Sequence, residues 1–221
     1  MEKLKKIVLI ILTSLLFIIS LASICFNIYQ NTKIKSFKKH DENIVFFGDS
    51  ITEQYNVKEF FDELQVVNSG ISGNQTIDLL TQIETRLYDY NPSKVIILIG
   101  INDINRGKTD NEILDNLKNI IKGIKKTRKN ADIYIQSVYP VNRNKSELAG
   151  MLYNEDVNNK RVKALNKKIK KLSKIENIPY IDVYSALSDN DGNLKDIYTK
   201  DGVHLTDLGY YKVTKTLKKH I

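Results

Sequence analysis

The chain of 221 residues has one cysteine, Cys25. It lies in an apolar N-terminal run, so no disulfide can brace a folded domain and no thiol serves it as a nucleophile. Histidine is almost as scarce. His40 falls in a lysine-rich stretch and His220 stands beside the C-terminus, which leaves His204 as the one credible general base. No cluster of histidine, cysteine and carboxylate has metal-ligand spacing, so neither a metal nor another cofactor is expected. The stretch Ser188-Asp189-Asn190-Asp191-Gly192 looks like a calcium loop at a glance. Counting back from Gly192 puts Leu187 where the first carboxylate ligand belongs, so a turn is expected. There is no internal repeat, and no low-complexity segment beyond a lysine-rich stretch early in the chain.

A broad excess of one charge is missing too. The formal net charge is +8, but residues 1–40 hold seven lysines and one acidic residue. The remainder carries 27 basic and 25 acidic residues, too balanced for a phosphate-backbone footprint, and no nucleic-acid partner is expected.

What is present begins with residues 7–28, which carry no charge and are broken only by Thr13, Ser14, Ser20, Ser23 and Asn27. As a helix rising about 1.5 Å per residue they cover roughly 30 Å, the hydrocarbon thickness of a bilayer. Lys3, Lys5 and Lys6 precede the run. Its apolar character continues past the weak cleavage signal at Ser20-Leu21-Ala22, through Ile24, Phe26 and Ile28. Residues 1–29 are therefore expected to be an uncleaved signal anchor. That implies a single-pass protein of the cell membrane with its domain outside; secretion after cleavage near Ala22 is the alternative. Ile24 ahead of Cys25 argues against lipid modification, and Lys33, Lys35, Lys38 and Lys39 compete with the N-terminal lysines for orientation. Residues 30–42 read as a basic polar tether, and 43–221 as one domain with a substantial core.

Within that domain strand-like runs at 44–47, 65–68, 94–99, 133–136 and 179–182 alternate with helix-like stretches at 57–64, 76–88, 110–129 and 156–176. A last helix is expected over 207–220. Such alternation calls for right-handed crossovers and a mostly parallel sheet covered on both faces, an α/β class. The run 95–99 is apolar at every position, as a central strand should be. The lysines of 156–176 form the solvated face of an amphipathic helix.

Ligands of open parallel sheets bind beyond the carboxyl ends of the strands. Gly48-Asp49-Ser50 follows the first strand, Asn68 to Asn74 the second, and Gly100-Ile101-Asn102-Asp103 the third. Asp201-Gly202-Val203-His204 precedes the last helix. Taken singly, Ser50 reads as an N-cap, each glycine as a turn residue and Asn102 as a cap. Together they hold the parts of an acyl-transfer site: a hydroxyl needing a base, an imidazole with a carboxylate three residues away, and donors for an oxyanion. Asp49, Asp103, Asn68 and Asn74 are expected to hold loops.

These four stretches, in this order, resemble the signature blocks of the SGNH (GDSL-type) hydrolases over residues 43–220, and 198–211 is similar to the lysophospholipase-like and acetylhydrolase-like branch. The resemblance implies a three-layer α/β/α sandwich with a five-stranded parallel sheet in the order 2-1-3-4-5. It implies Ser50 as nucleophile, His204 as general base and Asp201 as orienting carboxylate. It also implies an oxyanion hole from the N–H groups of Ser50 and Gly73 and the Asn102 amide. A serine esterase acting on small-molecule, lipid or glycan acyl esters follows, of lysophospholipase or envelope O-acetylesterase type. The alternative is a catalytically silent carbohydrate- or lipid-binding module on the same fold. Substrate-facing residues are expected in 139–154.

Overall fold

The computed structural model describes residues 2, 6, 14, 16–29, 43–145, 154 and 157–221. The chain divides into two compact units, Met1–Asp41 and Glu42–Ile221. In the first, residues 16–29 are helical. Residues 7–13 and 15 of the expected membrane span, and all of the tether, lie outside the described residues. Among the described residues no helix is long and apolar enough to cross a membrane.

The second unit is built on five strands: β1 (Asn43–Gly48), β2 (Val66–Gly70), β3 (Pro92–Leu98), β4 (Asp132–Gln136) and β5 (Tyr180–Ile181). All pairings are parallel and the order is β2-β1-β3-β4-β5. The α/β class and strand order thus match the expectation. Val95, Ile96, Ile97 and Leu98 are all buried. Successive strand residues point to opposite faces, so both faces of the sheet are covered.

Two long helices show how the crossovers are stabilised. The helix Asp110–Thr127 opens on a capping box, with Thr109 and Glu112 satisfying each other's backbone N–H, and buries Ile113, Leu117, Ile120, Ile121 and Ile124 on one stripe. The helix Asn159–Ile175 is capped by the Asn158 side chain and buries Val162, Leu165, Ile169 and Leu172.

Other expected helices are shorter. The stretch 57–64 is helical only over Val57–Phe60. The stretch 76–88 breaks at Gln82 into Thr76–Thr81 and Ile83–Arg86, followed by a 3-10 turn at Tyr88–Tyr90. Thr81 and Thr85 hydroxyls donate back to Ile77 and Gln82 carbonyls, a local bond that competes with the helical ladder. β5 ends before Asp182, whose carboxylate instead accepts from Ser185 N–H at the start of the helix Val183–Leu187. The last helix, Asp207–Leu217, stops three residues short of His220.

With these bounds the helices used below are α1 (Ser50–Glu53), α2 (Val57–Phe60), α3 (Thr76–Thr81), α4 (Ile83–Arg86), α5 (Ile101–Asn105), α6 (Asp110–Thr127), α7 (Asn159–Ile175), α8 (Val183–Leu187) and α9 (Asp207–Leu217).

Candidate active site

β1 ends at Gly48, where a Cβ would collide with the Leu98 carbonyl and the Thr52 side chain, so only glycine lets the strand end this close to β3. Asp49 is the N-cap of α1 and accepts from Ile51 N–H at 3.0 Å. Ser50 is therefore the first helical residue and is 7% exposed. The second block ends β2. The Asn68 amide donates to the carbonyls of Thr52 and Tyr55 at 2.7 and 2.8 Å, closing the C-terminal end of α1. Gly73 follows in the left-handed region at φ 77°. The third block turns at Gly100, and the Asn102 amide donates to the Asn74 carbonyl at 2.9 Å. One N–H of that amide is left for another acceptor. Asp103 is buried and accepts from the backbone and hydroxyl of Thr76, at 3.0 and 2.6 Å through its two oxygens, tying α5 to α3. The four expected loop-holding residues thus make such bonds, Asn74 through its contact with Arg86 below.

The fourth block is a loop braced from within. Thr199 Oγ1 donates to the His204 carbonyl at 2.9 Å and accepts from Gly202 N–H at 2.8 Å. Asp201 Oδ1 accepts from the amides of Val203 and His204 at 2.9 and 2.8 Å. Its Oδ2 lies 2.6 Å from His204 Nδ1, and His204 Nε2 lies 2.9 Å from Ser50 Oγ. Burial alone would raise the Asp201 carboxyl. The His204 ring and the two amides outweigh it and hold the group below its ordinary value. An ionised Asp201 can only accept, so Nδ1 carries the imidazole proton and Nε2 accepts from the Ser50 hydroxyl. This arrangement can draw a proton off Ser50 as its oxygen attacks an electrophile.

Two features that fix this geometry carry no motif. Arg86, buried at the end of α4, donates to the carbonyls of Gly48 (3.1 Å) and Ser69 and to Asn74 Oδ1. One guanidinium so links the ends of β1 and β2 to the residue that holds Asn102. Tyr55 and Tyr210 stack at 4.8 Å. Tyr210 OH donates to the Ile51 carbonyl at 2.8 Å, and Tyr55 OH meets Thr214 Oγ1 at 2.5 Å. These contacts lock α9, which follows His204, to α1, which begins with Ser50.

A model of the GDSL-like Lipase/Acylhydrolase family matches residues 46–212. The chain belongs to this family. Among its curated relatives is platelet-activating factor acetylhydrolase IB subunit alpha2 of Rattus norvegicus. It is 26% identical over 197 residues, covering 87% of this chain and 81% of the relative. A solved structure from Streptococcus pneumonia is 32% identical with a TM-score of 0.76 and covers 90% of this chain and 98% of its own. Axe2, an acetylxylan esterase from Geobacillus stearothermophilus, shares the fold at 20% identity and a TM-score of 0.64, over 80% and 93% of the two chains.

In this GDSL-like domain the structure brings Ser50, Asp201 and His204 into one hydrogen-bonded chain. Asn102 lies at the same strand ends, engaged with Asn74. The loop 139–154 answers the expectation differently. Tyr139 and Val141 are buried in the core, Asn142 holds the Leu194 carbonyl at 3.1 Å, and Lys145 pairs with Asp196 at 2.8 Å. The apolar residues expected to meet substrate there, Leu148, Met151, Leu152 and Tyr153, lie outside the described residues. Among the described residues no group of three or more His, Cys, Asp or Glu could hold a metal.

Asp49 offers a test of the buried environment beside Ser50. Burial pushes its carboxyl from 3.8 to about 7, against the Ile51 amide and helped by the charge of Asp103. Between those values the native state keeps a proton that the unfolded chain has given up, so this group makes wild-type stability fall as pH rises through the window. Asp49→Asn lacks the titration and keeps the oxygen that caps Ile51. In urea unfolding its stability relative to wild type should improve from pH 4 to pH 8, by up to about 4 kcal/mol at 1.36 kcal/mol per unit. A gap that does not change with pH would refute the buried-acid account.

Proposed function

We propose that this domain is a serine esterase that hydrolyses acyl esters, preferentially acetyl or other short acyl groups, through a covalent acyl-enzyme. The observation that carries the reading is the Asp201–His204–Ser50 chain, with contacts of 2.6 and 2.9 Å. Ser50 Oγ attacks the ester carbonyl while His204 Nε2 takes its proton. The alkoxide leaves with that proton, and water repeats the sequence on the acyl-enzyme. The N–H groups of Ser50 and Gly73 and the free Asn102 N–H would hold the oxyanion, donors in a fixed frame that need no reorganisation as charge develops.

The preference for small acyl groups is supported by the acetylhydrolase relatives and by the shared fold of an acetylxylan esterase. A silent binding module has no need of an imidazole poised on a serine. The membrane anchor read from residues 7–28 stays part of the proposal, with the domain outside the cell.

Rates on p-nitrophenyl acetate, butyrate, octanoate and palmitate test this. We expect kcat/KM to fall at least about tenfold from acetate to octanoate, since an added methylene that a small pocket cannot hold costs on the order of 1 kcal/mol or more. The reverse order would point to lipid esters, and no turnover of any member would favour the silent module.

A further inference from the structure

α7 carries eight basic residues and no acidic one in 17 positions, whereas α6, one residue longer, mixes three acids with four bases. Like charges at helical spacing of three and four repel one another, so α7 is self-repelling unless counter-charges meet it. On one side they do: Asp110 pairs with Arg161 and with Lys168, the latter at 2.5 Å. On the other side Lys163, Lys167 and Lys170 line a cavity of about 310 Å³ together with Tyr180 and Tyr184. Among the described residues none of these three lysines has a carboxylate within ion-pair distance.

The other polar groups of the cavity are already engaged. Asn166 accepts from Val138 N–H and donates to Val138 O, both at 2.8 Å. Asp182 is the one carboxylate in the lining, and its two oxygens accept from the Ser185 amide and hydroxyl at 3.1 and 2.8 Å. The charges facing a ligand are three ammonium groups against the one Asp182 carboxylate, an excess of positive charge. Tyrosine rings hold two of the ammonium groups: Lys163 Nζ sits 5.7 Å from the Tyr184 ring and Lys170 Nζ 5.7 Å from that of Tyr180. The three lysines rise along the helix in steps of about 6 and 4.5 Å. That spacing suits successive charges of an extended chain better than a single ion.

We infer that the groove formed by α7, β5 and α8 binds a linear polyanion, a phosphodiester-type chain with a charge roughly every 5–6 Å. β5 is the edge strand, three strands from β1, or about 14 Å at the usual strand spacing. A chain held there leaves Ser50 free, and on the esterase reading it would keep esters along that chain within reach of the site.

The test uses the full chain and a fluorescein-labelled poly(glycerol phosphate), with neutral dextran as control, followed by anisotropy at about 50 and 200 mM salt. The triple variant K163Q/K167Q/K170Q should weaken binding at least about tenfold and flatten its salt dependence. K118Q/K122Q/K126Q removes the same charge from the exposed face of α6 and should stay within about twofold of wild type. Glutamine is a good helix former and removing like charges relieves repulsion along a helix, so neither variant should melt far below wild type. Equal weakening by the two variants would reduce the effect to general charge attraction, and unchanged binding by the first would remove the groove from the account. Loss of binding to phosphatidylglycerol vesicles, with no polymer binding in wild type, would make the partner a membrane surface and overturn the linear chain. Both variants should match wild type on p-nitrophenyl acetate. Absence of turnover in all three would count against the esterase reading alone, because the binding arm needs no chemistry.

Discussion

Ser50→Ala is expected to lower kcat on p-nitrophenyl acetate by a factor on the order of 10⁴ to 10⁶, the scale seen when a triad nucleophile is removed. The melting temperature should barely move. The serine side chain makes one hydrogen bond that its removal breaks, to a half-buried imidazole, and α1 stays capped by Asp49 and Asn68. Activity and stability measured on the same preparation separate the two. Turnover within tenfold of wild type would remove Ser50 as the nucleophile, while a collapse of the melting temperature would mean that the hydroxyl holds the fold.

The second large effect is expected at Asp201→Asn, a loss of about 10⁴ in kcat, or about 5 kcal/mol of barrier. Asp201 Oδ1 accepts two amides, so the asparagine oxygen takes that place. Its NH₂ then replaces Oδ2 opposite His204 Nδ1. An N–H donor there forces the proton onto Nε2, and the imidazole faces Ser50 as a donor instead of a base. Because the loop keeps its two amide bonds, the variant should fold and bind substrate with little change in KM. A rate within tenfold of wild type would mean that Asp201 only shapes the loop.

Much of this site is legible in the letters because the backbone demands particular residues there. Gly48 is required by close approach to β3 and Gly73 and Gly100 by positive φ, and Asp49 and Asn68 hold the ends of a four-residue helix. Such requirements leave short, ordered motifs. The parallel sheet was equally legible, since a strand buried on both faces must be apolar throughout, as 95–99 is.

Most of what could not be read obeys no local rule. Arg86 serves three acceptors on two strand ends and a loop, and its partners are fixed only once β1 and β2 pair. A signal was there all the same: Arg86 stands seven residues after Leu79 and three after Ile83, on the stripe that faces the core. The break of 76–88 at Gln82 and the short reach of β5 have a different origin, in bonds between near neighbours: the hydroxyls of Thr81 and Thr85 donate back to the preceding turn, and Asp182 leaves the strand to cap α8. Tyr55 and Tyr210 stack across 154 intervening positions, a pairing that no window of sequence contains.

The hydrogen bond between Ser50 and His204 spans 154 positions. During synthesis the hydroxyl leaves the ribosome long before the imidazole, and the clamp of Tyr55 on Tyr210 cannot close until α9 has followed. A nascent chain therefore carries its serine in a chemically inert form until the last helix has been made. It becomes reactive only where the finished polypeptide can fold.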